Sequence, residues 1–138
     1  RNAVGVFDVS HMGEFIVKGP GALDLVQRVS ANDAGALFDG KVQYSYLPND
    51  TGGIVDDLLV YRLGEQEYML VVNASNIEKD WNWIQRYVAD FDCEMVNISA
   101  GTCLFAVQGP LAAKALQPLT NAKLDSMSYY TFEKTDFA

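Results

Sequence analysis

Asp56 and Asp57 stand side by side inside an apolar stretch, GGIVDDLLVY (Gly52–Tyr61). The flanking Ile54, Val55, Leu58, Leu59 and Val60 are the composition of a buried or half-buried strand. Strand side chains alternate between faces, so Asp57, Leu59 and Tyr61 share one face while Asp56, Leu58 and Val60 share the other. At most one of the acids is explained by facing solvent. Asp57 faces whatever Leu59 and Tyr61 face, and an ionised carboxylate there is costly without a partner or ligand. Neighbouring strands could bring Tyr44 or Tyr46 beside it. An acid among aromatic rings suits a flat, nitrogen-rich heterocycle: the rings stack and the carboxylate accepts from ring or amine N–H groups. It is equally placed for proton transfer or for stabilising developing positive charge. The competing reading is structural, with Asp57 capping a turn or satisfying backbone donors in the sheet. Spacing alone leaves both open.

Other polar residues carry weaker signals. Asn73 follows the run YMLVV and ends a strand where the chain turns toward a helix. Its amide could read the edge of a heterocycle with one donor and one acceptor, or serve ordinary turn chemistry. His11, the only histidine, lies in DVSHMGEF (Asp8–Phe15) with no cysteine or second histidine nearby. It cannot build a zinc site, and no Ser/His/Asp arrangement is visible; a hydrogen-bonded structural imidazole is the simpler reading. Met12 beside it either lines a pocket or fills core. The Tyr129-Tyr130 pair is similarly ambiguous. The glycines of Val17–Gly21 are turn glycines, and neither a P-loop nor a dinucleotide fingerprint is present.

The elements that must hold these residues are organised by a repeat. EFIVKGPGALDLVQRV (Glu14–Val29) matches LFAVQGPLAAKALQPL (Leu104–Leu119) at a constant offset of ninety residues. Each copy reads as an alternating strand, a glycine turn and a helix opened by proline. Ala22, Leu25, Val26 and Val29 fall on one face of the first helix, and Ala112, Ala115, Leu116 and Leu119 on one face of the second, the spacing of a helix packed on a sheet. Between the copies, Lys41–Leu47 reads as a strand and Pro48–Gly53 as a turn. The Ile54–Tyr61 strand follows, then a strand from Glu67 to Val72. Ser75-Asn76-Ile77-Glu78 has the pattern of a capping box, opening a helix with Ile77, Trp81, Ile84 and Val88 on one face. A strand near Glu94–Ile98 closes the unit. Strand, helix, meander, helix, strand predicts an α+β fold: a mainly antiparallel sheet with helices on one face, of the split βαβ, ferredoxin-like kind. Residues 1–100 form the first unit; 101–138 start a second, truncated one with one further strand after its helix. The chain opens on Arg1 rather than Met, and both ends read as those of a fragment.

Composition narrows the function classes. The formal net charge is −8, from 18 acidic and 10 basic residues, and the basic ones form no stripe. A phosphate-backbone partner and a membrane surface are both disfavoured, and the acidity reads as a solubility feature. No apolar run approaches the ~20 residues needed to span a bilayer. Cys93 and Cys103 lie in apolar contexts without CxxC spacing, which favours buried reduced thiols and a reducing compartment, most simply the cytoplasm.

Taken together, VGVFDVSHMGEFIVKGP, GKVQYS, GGIVDDLLVY, YMLVVNASNIEKDWNWI, NIS, VQGP and SYYTF resemble the T-proteins of the glycine cleavage system, the tetrahydrofolate-dependent aminomethyltransferases. These stretches cover nearly the whole chain in order, although no single motif is decisive. Members of that family are roughly 2.5 times longer, a size at which chains split into domains. The resemblance implies a reaction: an aminomethyl group on the lipoyl arm of H-protein gives its one-carbon unit to tetrahydrofolate. Ammonia, methylenetetrahydrofolate and the dihydrolipoyl arm result. It implies that Asp57 is the catalytic acid, and that Met12, Tyr44, Leu59, Asn73 and Tyr129 line the folate pocket. H-protein is then the partner, with no nucleic acid and no membrane, in the cytoplasm or, in a eukaryote, the mitochondrial matrix.

Departures from the family pattern matter too. Its later G-Y-T-G-E-D-G-F-E segment and folate-holding arginines are absent from these residues, so the chain is expected to be inactive alone. Two relatives are alternative readings: folate proteins of iron–sulfur assembly that lack this reaction, and the folate domain of a dimethylglycine or sarcosine oxidase. The intact DD pair and VVNASN favour the transferase over the first.

Overall fold

The computed structural model describes residues 1–137. Seven strands and three helices follow in order: β1 (Gly5–Asp8), β2 (Gly13–Lys18), α1 (Ala22–Val29), β3 (Val42–Pro48), β4 (Ile54–Gly64), β5 (Glu67–Val72), α2 (Ile77–Val88), β6 (Glu94–Asn97), β7 (Phe105–Gln108) and α3 (Ala112–Leu116). Five strands form one antiparallel sheet in the order β3-β4-β5-β2-β6. Without the edge strand β3, the remaining order β4-β5-β2-β6 is that of the split βαβ fold, so the expected α+β architecture is the one observed.

Alternation sets the core. Phe15 and Val17 of β2, Leu58 and Val60 of β4, and Tyr68, Leu70 and Val72 of β5 are buried on one face of the sheet. Leu25 and Val26 of α1 and Ile84 of α2 join the same cluster, as the helical spacing predicted. Phe15 meets Trp81 edge-on, ring centroids 5.1 Å apart, a contact worth about 1 kcal/mol beyond its buried area. Both helices pack on this face, which leaves the opposite face, with Asp57, Leu59 and Tyr61, for other duties.

Several local expectations are corrected. Ser75 and Glu78 form no capping box: residues Ala74–Asn76 make a 3-10 turn, and Asn76, not Ser75, precedes the helix. Asn76 spends its side chain on Asp56 instead. Pro20 lies two residues ahead of α1 rather than at its first position, because Gly21 is the residue before the helix. Neither cysteine is buried as expected: Cys93 is half-buried and Cys103 exposed, and both are free. After α3 the described residues form two 3-10 turns (Gln117–Leu119 and Leu124–Ser126) and isolated bridges, Lys41 with Thr131 and Thr120 with Phe137, in place of a further strand. α3 buries none of its residues, because the sheet beside it has only two strands.

The repeat extends well beyond the matched segments and has a swapped edge. β1 pairs with β7, and β6 pairs with β2, in the same register: Val6 opposes Val107 as Met95 opposes Val17. Ser99 Oγ receives Glu14 N–H at 2.9 Å, and Ser10 Oγ receives Leu104 N–H at 3.0 Å. Gln27 Oε1 accepts from Ala34 N–H at 2.9 Å, and Gln117 Oε1 from Leu124 N–H at 3.0 Å. Gly19 (φ 128) and Gly109 (φ 124) make the same turn, and a Cβ on them would lie 2.7 Å from Asp92 O and 2.5 Å from Ala3 O. Each glycine is therefore required twice, for its positive φ and for close backbone approach. The copies meet about a local pseudo-dyad: Val42 N–H donates to Tyr130 O and Phe132 N–H to Gly40 O, both at 2.9 Å. Strand pairing thus ties residues 5–8 to the second unit, although the sequence division at residue 100 places them in the first.

Candidate functional site

β4 carries the two acids to opposite sides of the sheet. Asp56 follows Leu58 and Val60 toward the helices, and Asp57 follows Leu59 and Tyr61 to the open face. Tyr46 is Asp57's direct partner on β3, and Tyr44, two residues along the same face, is the one that reaches it. The Tyr44 hydroxyl donates to Asp57 Oδ2 at 2.7 Å. Asn73 Nδ2 donates to Asp57 Oδ1 at 2.7 Å and to Asp56 Oδ1 at 3.2 Å, so one amide clasps both carboxylates around the end of β5. Asp57 therefore takes its partners from side chains, not from turn or sheet N–H groups.

These contacts set the electrostatics. Donation to Asp57 raises the Tyr44 phenol above its ordinary range, with some desolvation adding to it. Burial pushes the Asp56 carboxyl up, but hydrogen bonds from Asn76, Asp80 and Asn73 outweigh it and hold Asp56 below its usual range. Asp80, on α2 and fully buried, goes the other way: burial and then the neighbouring Asp56 carry it up to about 7.

Starting at Leu59, two residues along the same face of β4 from Asp57, an open hollow of about 330 Å³ is lined by Val42, Leu59, Tyr61, Tyr130, Thr131 and Phe132. The Tyr61 and Phe132 rings lie 5.4 Å apart within it. The pseudo-dyad brings the Tyr130–Phe132 segment here, and Tyr130 adopts positive φ (57°) where the first copy has Gly40. A carboxylate with two fixed donors next to an aromatic wall fits a flat heterocycle bearing N–H groups. Asn73 also has an acceptor to spare: among the described residues its Oδ1 accepts no hydrogen bond.

Of the residues singled out by sequence, Asp57, Tyr44 and Asn73 form one hydrogen-bonded group and Leu59 shares their face. Met12 precedes Gly13, which pairs with Val72 next to Asn73, so the ladder brings Met12 to the same end of the sheet. Tyr129 stands apart at 85% exposure, its ring tilted against that of Tyr130 with centroids 4.5 Å apart, and it is Tyr130 that lines the hollow. His11 is exposed. Sequence reasoning missed Asn76 and Asp80. A signal for Asp80 existed: three residues after Ile77 and four before Ile84, an acid sits on the helix's apolar face. Among the described residues no group of three acid, histidine or cysteine side chains could hold a metal, and no helix is long and apolar enough to cross a membrane.

Comparison with known proteins shows the family and the fold. A family model described as the GCVT N-terminal domain matches residues 1–138. An aminomethyltransferase of Flavobacterium psychrophilum is 58% identical over the whole chain, which spans 38% of that protein. One from Bacteroides fragilis is 56% identical over 99% of the chain, and one from Thermotoga maritima 50% identical over 98%, covering 38% and 37% of those proteins. Among solved structures, the glycine cleavage system aminomethyltransferase T of Bartonella henselae superposes with a TM-score of 0.81 at 38% identity, over 86% of this chain and 32% of that one. A heterotetrameric sarcosine oxidase from Corynebacterium sp. U-96 shares the fold at 21% identity, with a TM-score of 0.57 over 88% of this chain and 57% of that one.

Proposed function

Since the chain belongs to the GCVT N-terminal domain family and spans 38% of its bacterial relatives' length, we propose that it is the acid-bearing part of an aminomethyltransferase. The whole protein moves a one-carbon unit from the aminomethylated lipoyl arm of H-protein to tetrahydrofolate and releases ammonia. Tetrahydrofolate, when bound, supplies the nucleophilic nitrogens that accept the carbon. The chain's own residues bind and orient it. The observation that carries this reading is the Asp57 carboxylate, fixed by Tyr44 and Asn73 on the open face beside an aromatic hollow. Held there, Asp57 accepts from pterin N–H groups and faces the positive charge that develops as carbon leaves sulfur for nitrogen. Tyr44 and Asn73 keep it from rotating away. Leu59 and Met12 supply apolar walls, and Tyr129 lies on the segment that carries Tyr130 into the hollow.

The division near residue 100 belongs to this reading as well, with β1 lent to the second unit. The 138 residues alone hold one wall of the site and are inactive, and the natural setting is the cytoplasm or the mitochondrial matrix. The sarcosine oxidase resemblance is one of fold, at an identity too low to carry function. The test is product formation by the full-length protein: methylenetetrahydrofolate should appear from aminomethylated H-protein and tetrahydrofolate. Folate binding without turnover would move the protein to the noncatalytic folate binders.

A further inference from the structure

Asp80 has no solvent exposure, and neither of its oxygens meets a hydrogen-bond donor from another residue. Across the contact between α2 and β4 its carboxyl meets that of Asp56, which already receives Asn76 Nδ2 at 2.8 Å and Asn73 Nδ2 at 3.2 Å. Two neighbouring carboxylates, one of them fully buried, do not both stay ionised without a large cost. A proton on Asp80 removes the conflict. Its O–H becomes the donor, Asp56 stays the anion, and the orphaned oxygens of Asp80 are accounted for.

The consequence reaches the open face. Asn73 points its NH₂ at two acids, and the flipped amide would set its carbonyl oxygen against both. Asp57 Oδ1 holds the amide from the open face at 2.7 Å, and Asp56, kept in place as an acceptor, adds the second anchor at 3.2 Å. We propose that Asp80 is a positioning residue whose carboxyl proton, donated to Asp56, locks the Asn73 amide with its Oδ1 free to accept from a ligand N–H. This rests on reading the Asp57 face as the folate site, and it assigns Asn73 the acceptor half of that recognition. Of the charged groups around Asp80, Asp56 and Asp57 on β4 favour its protonated form, and Lys79 on its own helix opposes it. Lys79 Nζ is turned to Val55 O at 2.7 Å, away from a direct pairing. Loss of the proton sets two anions together and releases Asn73, which gives the site an alkaline limit.

The test uses the full-length protein with two variants. Asp80→Asn keeps an N–H donor toward Asp56 but cannot titrate; Asp80→Leu keeps the volume and removes the donor. The carboxyl-carbon NMR shift of Asp80, assigned by its loss in Asp80→Asn, reports protonation independently of any reaction. It should move from protonated to ionised around pH 7, and a carboxyl already ionised at about pH 5 overturns the proposal. The Asn73 side-chain amide should exchange slowly below that transition and lose protection above it in wild type but not in Asp80→Asn. Protection that ignores the transition also overturns the proposal. Tetrahydrofolate affinity should fall about tenfold on the alkaline side in wild type, stay level in Asp80→Asn, and be about tenfold weaker at every pH in Asp80→Leu. Asp80→Leu binding like wild type, or Asp80→Asn failing as Asp80→Leu does, refutes it. If Asp80→Leu does not fold, the wild-type titration and the Asn73 exchange still decide. If wild type binds no tetrahydrofolate, the functional reading falls and the two NMR measurements still settle the role of Asp80.

Discussion

Asn73 is the joint between the buried acid and the exposed one, and replacing it separates a clasp from a bystander. Asn73→Ala removes one Nδ2 that serves Asp57 Oδ1 at 2.7 Å, Asp56 Oδ1 at 3.2 Å and Asp57 O at 3.3 Å. A hydrogen bond to a charged group contributes about 1.5–3 kcal/mol, and the strongest of these is the one to Asp57. Asp56 keeps Asn76 at 2.8 Å, so it is not stranded. Asp57 keeps only Tyr44 and gains water, which softens the loss of stability to about 1–2 kcal/mol. The loss of function should be larger, because Asp57 then swings on a single tether. A misplaced reacting group costs about a hundredfold in rate, roughly 2.7 kcal/mol. Asn73→Asp sharpens the contrast by setting a third carboxylate between two others. It should destabilise more than Asn73→Ala at neutral pH and recover as pH falls and the new acid protonates. Denaturant unfolding and steady-state turnover of the full-length protein, each across pH, supply the readouts. Turnover within about threefold of wild type in Asn73→Ala, or an Asn73→Asp protein as stable at neutral as at acid pH, would refute the clasp.

Further predictions concern stability and the helix–sheet contact. Asp80 keeps its proton in the folded state up to about pH 7 against 3.8 in the unfolded chain, so wild-type stability should fall as pH rises across that window. Asp80→Asn should flatten the slope in a pH series of unfolding curves. Asp56 works with the opposite sign, since its lowered folded value stabilises above its unfolded value and that stability is lost as acid is added. Gly19→Ala should cost about 2–4 kcal/mol by thermal unfolding, since the new Cβ meets Asp92 O at 2.7 Å and the residue keeps φ at 128°. Gly52→Ala, with positive φ but open space around it, should cost only about 1 kcal/mol. Tyr44→Phe should lower the rate about tenfold with little change in folding, because the lost hydroxyl is exposed and holds only Asp57.

What the sequence made legible follows the range of the interactions. The face assignment of Asp56 and Asp57 needed only strand alternation, and the helix at Ile77–Val88 needed only its apolar spacing; both are local. The capping box failed because Ser75 and Glu78 carry the right types, while Asn76 and Asp56, twenty residues apart, decide where that turn lies. β1 went unread because Gly5–Asp8 is short and its partner β7 lies a hundred residues away. The repeat was visible only where the side chains match. The turns that continue it, Ser10 with Ser99 and Gly40 with Tyr130, match in backbone role and not always in residue type. Tyr44 beside Asp57 was anticipated without a register, whereas Tyr130 in the hollow depends on the pseudo-dyad. Asp80 was legible in principle, as an acid on an apolar helix face, but nothing local pairs it with Asp56.

The most direct measurement compares wild type with Asp57→Asn in the full-length protein, following methylenetetrahydrofolate formation and tetrahydrofolate affinity together. Asparagine keeps the shape and the contact to Tyr44 while removing the charge. Turnover should drop by about 2–4 kcal/mol in barrier, with affinity changing by less than about tenfold. Turnover equal to wild type, or a loss carried entirely by affinity, would contradict a carboxylate acting on the transferred carbon.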